Sequence, residues 1–156
     1  MSDVIEVSAT IAAPADAVYA AVSDITRMGE WSPECSGGKW LGGATAAKPG
    51  ARFRGTNKHG PWRWSTTCKV VTADPARELS WEVRYLGLPI ALWRYRFSAD
   101  GHGGTLVVES TEDRRGAFIK AFAPMATGVG DRAGRNRKTM EITLDRVKHV
   151  VETRVP

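Results

Sequence analysis

Cysteine, histidine and long apolar runs are scarce in this chain, and each shortage removes a class of function. The two cysteines, Cys35 and Cys68, have no CxxC spacing, so free thiols in a reducing compartment are expected rather than a disulfide framework. The three histidines are His59 and His102, in turn-like segments, and His149, late in a helical one. A histidine metal site would need distant loops to converge, and neither a metal nor another cofactor is expected. No run approaches the roughly 18 apolar residues of a membrane-spanning helix, and neither end carries a secretory h-region or a lipidation signal. The expectation is a cytoplasmic protein. GxSxG, HExxH, GxGxxG and P-loop motifs are also missing, which withdraws the simplest hydrolase, metalloprotease and nucleotide-binding readings.

What remains is an ordinary globular composition. A chain of 156 residues and 17.0 kDa fits one domain, 1–156, able to bury about two thirds of its unfolded surface. The net charge is +5. Arg132, Arg135, Arg137 and Lys138 concentrate part of it, but Asp131, Glu141 and Asp145 are interleaved nearby. A solvated helix face is the plain reading, and a basic module touching a membrane or an acidic partner is the sharper one. No nucleic-acid-binding motif accompanies the stretch, and nucleic acid is not expected as a partner.

Periodicity organises the rest. In Val4 to Ile11 one parity is Ile5, Val7, Ala9 and Ile11, the period of a half-buried strand. Pro14 then presets a helical φ, Asp16 suits the positive end of the helix dipole, and Val18, Val22 and Ile25 form a stripe that leads to Trp31-Ser32-Pro33. A short strand is expected around Lys39-Trp40-Leu41, between loops rich in Gly and Ala. Five strand-like runs follow: Gly50 to Lys58, Trp62 to Val71, Leu79 to Tyr85, Trp93 to Phe97 and Thr105 to Thr111. They are separated by turn compositions such as His59-Gly60-Pro61. With no room for crossover helices between them, antiparallel hairpins are the economical topology. From Asp131 to Val151 there is no proline, and Met140, Leu144, Val147 and Val151 repeat at four, three and four residues, one face of a helix. Between strands and helix, 116–130 reads as a short helical piece broken by Pro124, Gly128 and Gly130, a mobile connector and candidate lid.

The strands are rich in rings. Six Trp, four Phe and three Tyr occur, and alternation turns Phe53, Trp64, Trp81, Tyr85, Trp93, Tyr95 and Phe97 toward a common interior. A sealed core would use Leu and Ile more cheaply, because buried Trp and Tyr need partners for their polar ends. Stacking against the long helix is the alternative. Polar candidates on the same parities are Asn57, Thr66 and Glu109. Two placements of Glu109 are open, since the opposite parity would expose it and bury Leu106 and Val108. An inward Glu109 must be paired, hydrogen-bonded by Tyr95 or Asn57, or held protonated. Cys68, also inward, reads as a small buried hydrophobe.

The opening strand, Ile11-Ala12-Ala13-Pro14-Ala15-Asp16-Ala17-Val18-Tyr19, Asp24-Ile25 and Trp31-Ser32-Pro33 together resemble the START-like (SRPBCC) helix-grip superfamily. Gly50-Ala51-Arg52-Phe53 with Asn57, and Asp131-Arg132 leading to Met140 and Thr143-Leu144, extend the likeness along nearly the whole chain. Within the superfamily the sequence is most similar to the bacterial polyketide cyclase/dehydrase and lipid-transport group. The resemblance implies an α+β fold: a seven-stranded curved antiparallel sheet gripping a long C-terminal helix, with two short helices closing one end of a cavity. That cavity would be lined by Phe53, Asn57, Trp64, Thr66, Trp81, Val83, Tyr85, Trp93, Tyr95 and Phe97 from strands, Phe118, Phe122 and Met125 from the connector, and Met140 and Leu144 from the helix. Members bind lipids, polyketides, quinones or other apolar small molecules, and a minority are enzymes, so the fold does not settle function. The first reading is a non-catalytic carrier of a hydrophobic small molecule, as a monomer or homodimer. The second is a cyclase or dehydratase using Glu109 with Tyr95 or Asn57. The third is the basic interaction module, with transient membrane contact.

Overall fold

The computed structural model describes residues 4–154, and its elements follow from local chemistry. Strand β1 (Val4–Ile11) buries Val7 and Ile11 on one parity. Pro14 then stops the strand and starts helix α1 (Ala15–Ser23), holding φ −62° at its N-cap. Asp24 ends α1, and its carboxylate accepts a 3.2 Å hydrogen bond from the Thr26 N–H, which opens a 3-10 turn at Ile25–Arg27. A single turn, α2 (Met28–Trp31), follows. The chain then runs through β2 (Cys35–Trp40), β3 (Arg52–His59), β4 (Trp62–Asp74), β5 (Glu78–Tyr85), β6 (Leu88–Ala99) and β7 (Thr105–Asp113), and ends in α3 (Ala117–Thr127) and α4 (Arg132–Arg154).

All neighbouring strands are antiparallel, in the order β1-β7-β6-β5-β4-β3-β2. Consecutive hairpins build six of the seven, and β1 returns to the far edge beside β7. Strands β4 and β6 are long, 13 and 12 residues. Register shifts at Val70/Thr72 and Val83/Arg84 add local twist and bend, curling the sheet rather than leaving it flat.

Helix α4 packs against β1, α1 and α2. Met140, Leu144, Val147 and Val151 are all buried along one stripe, each contributing about 2 kcal/mol of apolar burial. Polar ties fix both of its ends. Lys148 donates to the Thr10 carbonyl at 2.7 Å while Glu152 accepts from the Ala12 N–H at 2.8 Å. At the other end Glu34 receives Arg132 at 2.7 Å and Arg135 at 3.2 Å. Arg137 stays exposed and donates to the Glu6 carbonyl at 3.3 Å. Arg132, Arg135 and Arg137 thus hold partners within the chain, while Arg137 and Lys138 remain at the surface.

Three segments differ from the sequence expectation, and the first is β6, which starts at Leu88 rather than Trp93 because Leu88 and Pro89 pair with Tyr85 and Arg84. The strand expected at Lys39-Trp40-Leu41 begins earlier, at Cys35, because β2 pairs along β3 from Asn57 to Phe53. The connector is also more regular than expected: Pro124 lies inside α3 rather than ending it. Only one amide is lost there, and the helix continues to Gly128, whose φ of +72° forms its C-cap.

Gly128 is sterically locked as well, since an added Cβ would fall 2.2 Å from Trp62 Nε1. Gly128→Ala is therefore expected to lower stability by about 1–3 kcal/mol. Gly130→Ala, with open space around it, should stay within about 0.5 kcal/mol of the parent. Thermal unfolding followed by circular dichroism distinguishes the two; equal melting temperatures would remove the Gly128 constraint.

Candidate functional site

Helix α4 covers only part of the concave sheet face, and a cavity of about 660 Å³ remains, within the ordinary range for a small-molecule site. One wall is a run of rings across the strands. Phe53 meets Trp81 edge-on at 5.8 Å and Trp81 lies tilted against Tyr95 at 5.8 Å, while Trp40, which is not among the lining residues, meets Phe53 edge-on at 5.6 Å. Such contacts add roughly 0.5–1.5 kcal/mol each beyond burial. Val22, Met28 and Trp31 of the helices after β1 contribute to the lining, as do Thr139, Met140 and Thr143 of α4. Both threonine hydroxyls are satisfied within their own helix, Thr143 on the Thr139 carbonyl at 2.7 Å and Thr139 on the Asn136 carbonyl at 3.0 Å.

The ring series ends at a carboxyl group. Tyr95 and Glu109 are register partners on β6 and β7, and the Tyr95 hydroxyl donates to Glu109 Oε1 at 2.9 Å. Glu109 is 2 % exposed. Its Oε2 and the Thr111 Oγ1 have no hydrogen-bond partner among the described residues. Burial pushes the Glu109 carboxyl up to about 8, against a smaller opposing effect of the Tyr95 bond. It is therefore a neutral acid at pH 7, with a proton to offer on the oxygen that does not already accept from Tyr95. Burial, and next the adjacent Glu109, raises Tyr95 well above the usual phenol range. Cys68 also lines the cavity, but burial pushes its thiol up to about 12, so it is no thiolate nucleophile.

The other end of the cavity is open. Phe118 and Phe122 of α3 stack at 4.7 Å yet are 68 % and 51 % exposed, and Leu86 in the β5–β6 turn is 85 % exposed; all three line the cavity. Arg115 pairs with Asp113 at 2.8 Å, and Arg132 lies over the Trp64 ring while holding Glu34. Helix α3 makes few other attachments; one is His59 Nδ1 with the Thr127 carbonyl at 3.2 Å.

A sequence profile described as polyketide cyclase / dehydrase and lipid transport matches residues 3–152. The chain belongs to this family. Among solved structures it is similar to the polyketide-cyclase-like protein Cgl2372 of Corynebacterium glutamicum, with 30 % identity, 97 % of this chain and 90 % of that one covered, and a TM-score of 0.58. It also resembles DR_A0006 of Deinococcus radiodurans, at 17 % identity and TM-score 0.69 over 98 % and 100 % of the two chains. The di-domain ARO/CYC StfQ from the steffimycin biosynthetic pathway gives 13 % identity and TM-score 0.75 over 99 % of this chain and 52 % of its own. The last two likenesses speak to the helix-grip fold alone. No curated protein matches.

In this member of the polyketide cyclase / dehydrase and lipid transport family, most of the sequence-selected residues meet at the cavity. Phe53, Asn57, Trp64, Thr66, Trp81, Val83, Tyr85, Trp93, Tyr95, Glu109, Phe118, Phe122 and Met140 line it. Three do not. Phe97 faces inward but packs edge-on against Tyr19 at 5.7 Å, where α1 closes the sheet. Leu144, 2 % exposed, is sealed into the core under α4. Met125 is 70 % exposed and points away on α3. Asn57 lies on β3, four strands from Glu109 in sheet order, and forms no hydrogen bond with it. Thr111 and Thr143 were missed as lining residues, although each shares a face with a chosen neighbour.

The raised Glu109 acidity sets a pH dependence. An unfolded chain ionises this residue near 4.5, while the fold holds the proton to about 8. The folded state binds more protons in that window, so stability falls as pH rises through it, by a few kcal/mol at most, and levels off above. Glu109→Gln should flatten this slope and exceed the parent in stability at pH 9. Urea unfolding at pH 5, 7 and 9 checks it; parallel curves for the two proteins would show that Glu109 is not held neutral.

Proposed function

We propose that the protein binds or carries an apolar or aromatic small molecule of lipid, polyketide or quinone-like class in the cavity between sheet and α4, with α3 as its lid. The observation that carries this reading is the cavity itself: about 660 Å³ walled by rings and closed at one end around a neutral acid. A ligand of about 20 to 25 heavy atoms gaining roughly 0.3 kcal/mol per atom reaches micromolar affinity without further chemistry. The family description, which includes lipid transport, supports the same assignment. Exposed Phe118, Phe122 and Leu86 at the mouth are what a lid that parts for an apolar guest would present.

The neutral fluorescent amine N-phenyl-1-naphthylamine is a direct probe. It should bind the parent and lose at least tenfold in affinity in Thr66→Trp, which fills the cavity, with little change in melting temperature. Native mass spectrometry of protein from its own cells should show a co-purifying apolar mass. Absence of both signals would overturn the reading.

One observation favours a second reading, a cyclase or dehydratase. Glu109 has the protonation state of a general acid near neutral pH. It stands as half of an acid/base pair, because Tyr95 already donates to it and Asn57 is remote. Under that reading Glu109→Gln abolishes turnover of a polyketide substrate while probe uptake survives.

A further inference from the structure

The buried end of the cavity contains two polar atoms that the fold leaves unsatisfied. Oε2 of Glu109 and Oγ1 of Thr111 both have no partner among the described residues, and both residues line the cavity. They are two apart on β7, on one face, and so about 7 Å from each other along the strand. Leaving buried polar atoms unmade costs about 1–3 kcal/mol each, and natural interiors keep few of them. Oε1 of Glu109 is occupied by the Tyr95 hydroxyl, so the available acid proton belongs on Oε2.

What faces these atoms fixes the chemistry of a guest. From β6 the register partners are Tyr95 and Trp93, and from β1 they are Val7 and Ile5. From α4 the lining residues are Arg132 and Ala133 in its first turn and Asn136, Thr139, Met140 and Thr143 further along. Among the strand partners Tyr95 is the one titratable group; Cys35, Cys68 and Tyr85 line the cavity from other strands and do not contribute to the Glu109 titration. The charged lining residues are Glu34, Asp113, Arg115, Lys120, Asp131 and Arg132, and none of them contributes to the Glu109 titration. Arg115 and Arg132 are already held by Asp113 and Glu34. No cation stands ready at this end to receive an anion. A hydrogen-bond acceptor without charge is what the unused donor fits.

We infer that Glu109, seconded by Thr111, is the recognition point for a neutral carbonyl group, so that the cavity's guest is a ketone-type molecule bound carbonyl-inward. Its apolar body then runs along Trp81 and Trp93 toward Phe118 and Phe122. Glu109 donates from Oε2 to the carbonyl oxygen, and Tyr95 is a positioning residue that holds the carboxyl in place. This rests on the carrier reading and adds to it the chemical class and the direction in which the guest enters.

The test uses displacement of N-phenyl-1-naphthylamine by two ligands of one shape, 2-acetonaphthone and its hydrocarbon isostere 2-isopropenylnaphthalene. The quantity read is the ratio of their affinities, which cancels differences in the protein's overall stability. That ratio should fall about five- to tenfold in favour of the hydrocarbon in Glu109→Met relative to the parent at pH 6. In the parent it should fall similarly between pH 6 and pH 9 as the proton is lost, whereas Glu109→Gln, which keeps an N–H donor, should hold a pH-independent ratio close to the parent's at pH 6. A ratio unchanged by pH in the parent and by Glu109→Met would overturn the inference while the probe still binds. Failure of the probe to bind at all would overturn the carrier reading instead. If Glu109→Met does not fold, the parent's pH series and Glu109→Gln decide between these outcomes.

Discussion

One helix cannot fill the concave face of seven strands. Strands about 4.8 Å apart make a surface nearly 30 Å wide, whereas a helix with its side chains is about 10–12 Å across. Helix α4 solves the problem at one end only, over β1, where Met140, Leu144, Val147 and Val151 are buried and Lys148 and Glu152 clasp the strand terminus. The sheet beyond it must be covered by something else or remain open. Helices α1 and α2 take the closed end, α3 partly spans the other, and the remainder is the cavity. The binding space is thus a consequence of the mismatch between a wide sheet and a narrow helix, and the bulges in β4 and β6 bend the walls around it.

The composition of that wall answers to the same constraint. A face that is not covered by protein atoms lacks the close packing of an interior, and large rings that reach one another across it restore part of that contact. Phe53 of β3 meets Trp81 of β5 edge-on, Trp81 lies tilted against Tyr95 of β6, and Trp40 of β2 meets Phe53 edge-on, so the rings brace one another across the sheet. The Phe53–Trp81 contact reaches over the intervening strand β4, so the wall is supported laterally rather than by a filling. Phe97 and Tyr19 make the same kind of contact, but under α1, where the space is closed.

Strand parity made much of this legible in advance. Phe53, Trp64, Trp81 and Tyr95 were placed on the interior face from alternation alone, and the Met140 to Val151 stripe located the helix. Parity gives a face, however, and not a position along it. Nothing local distinguishes Phe97 from Tyr95, two residues earlier, and only the docking of α1 puts one in core and the other at the cavity. Glu109 was undecided for a related reason: Val107 and Val108 leave both parities of β7 hydrophobic, and the long-range pairing of Glu109 with Tyr95 and Val7 settles its direction. Helix α3 was obscured by Pro124, whose cost is small where the affected carbonyl is at the surface.

Glu109 is where local physics and the fold disagree most. A leucine at this position would pack beside Val7, its register partner on β1, without desolvating a carboxyl, and Tyr95 would lose only one hydrogen bond that water or a small shift could replace. Stability alone therefore favours an aliphatic residue. The opposite arrangement, a carboxyl held neutral by burial with one oxygen fastened and one unused, has no structural return that the surrounding residues display. The Tyr95 bond orients it, the apolar neighbours from β1 and α4 keep it protonated, and Thr111 stands beside it equally unsatisfied. A donor prepared in this way inside an apolar space gains its partner only from outside the chain, and that is the physical argument for assigning the buried end of the cavity to recognition rather than to packing.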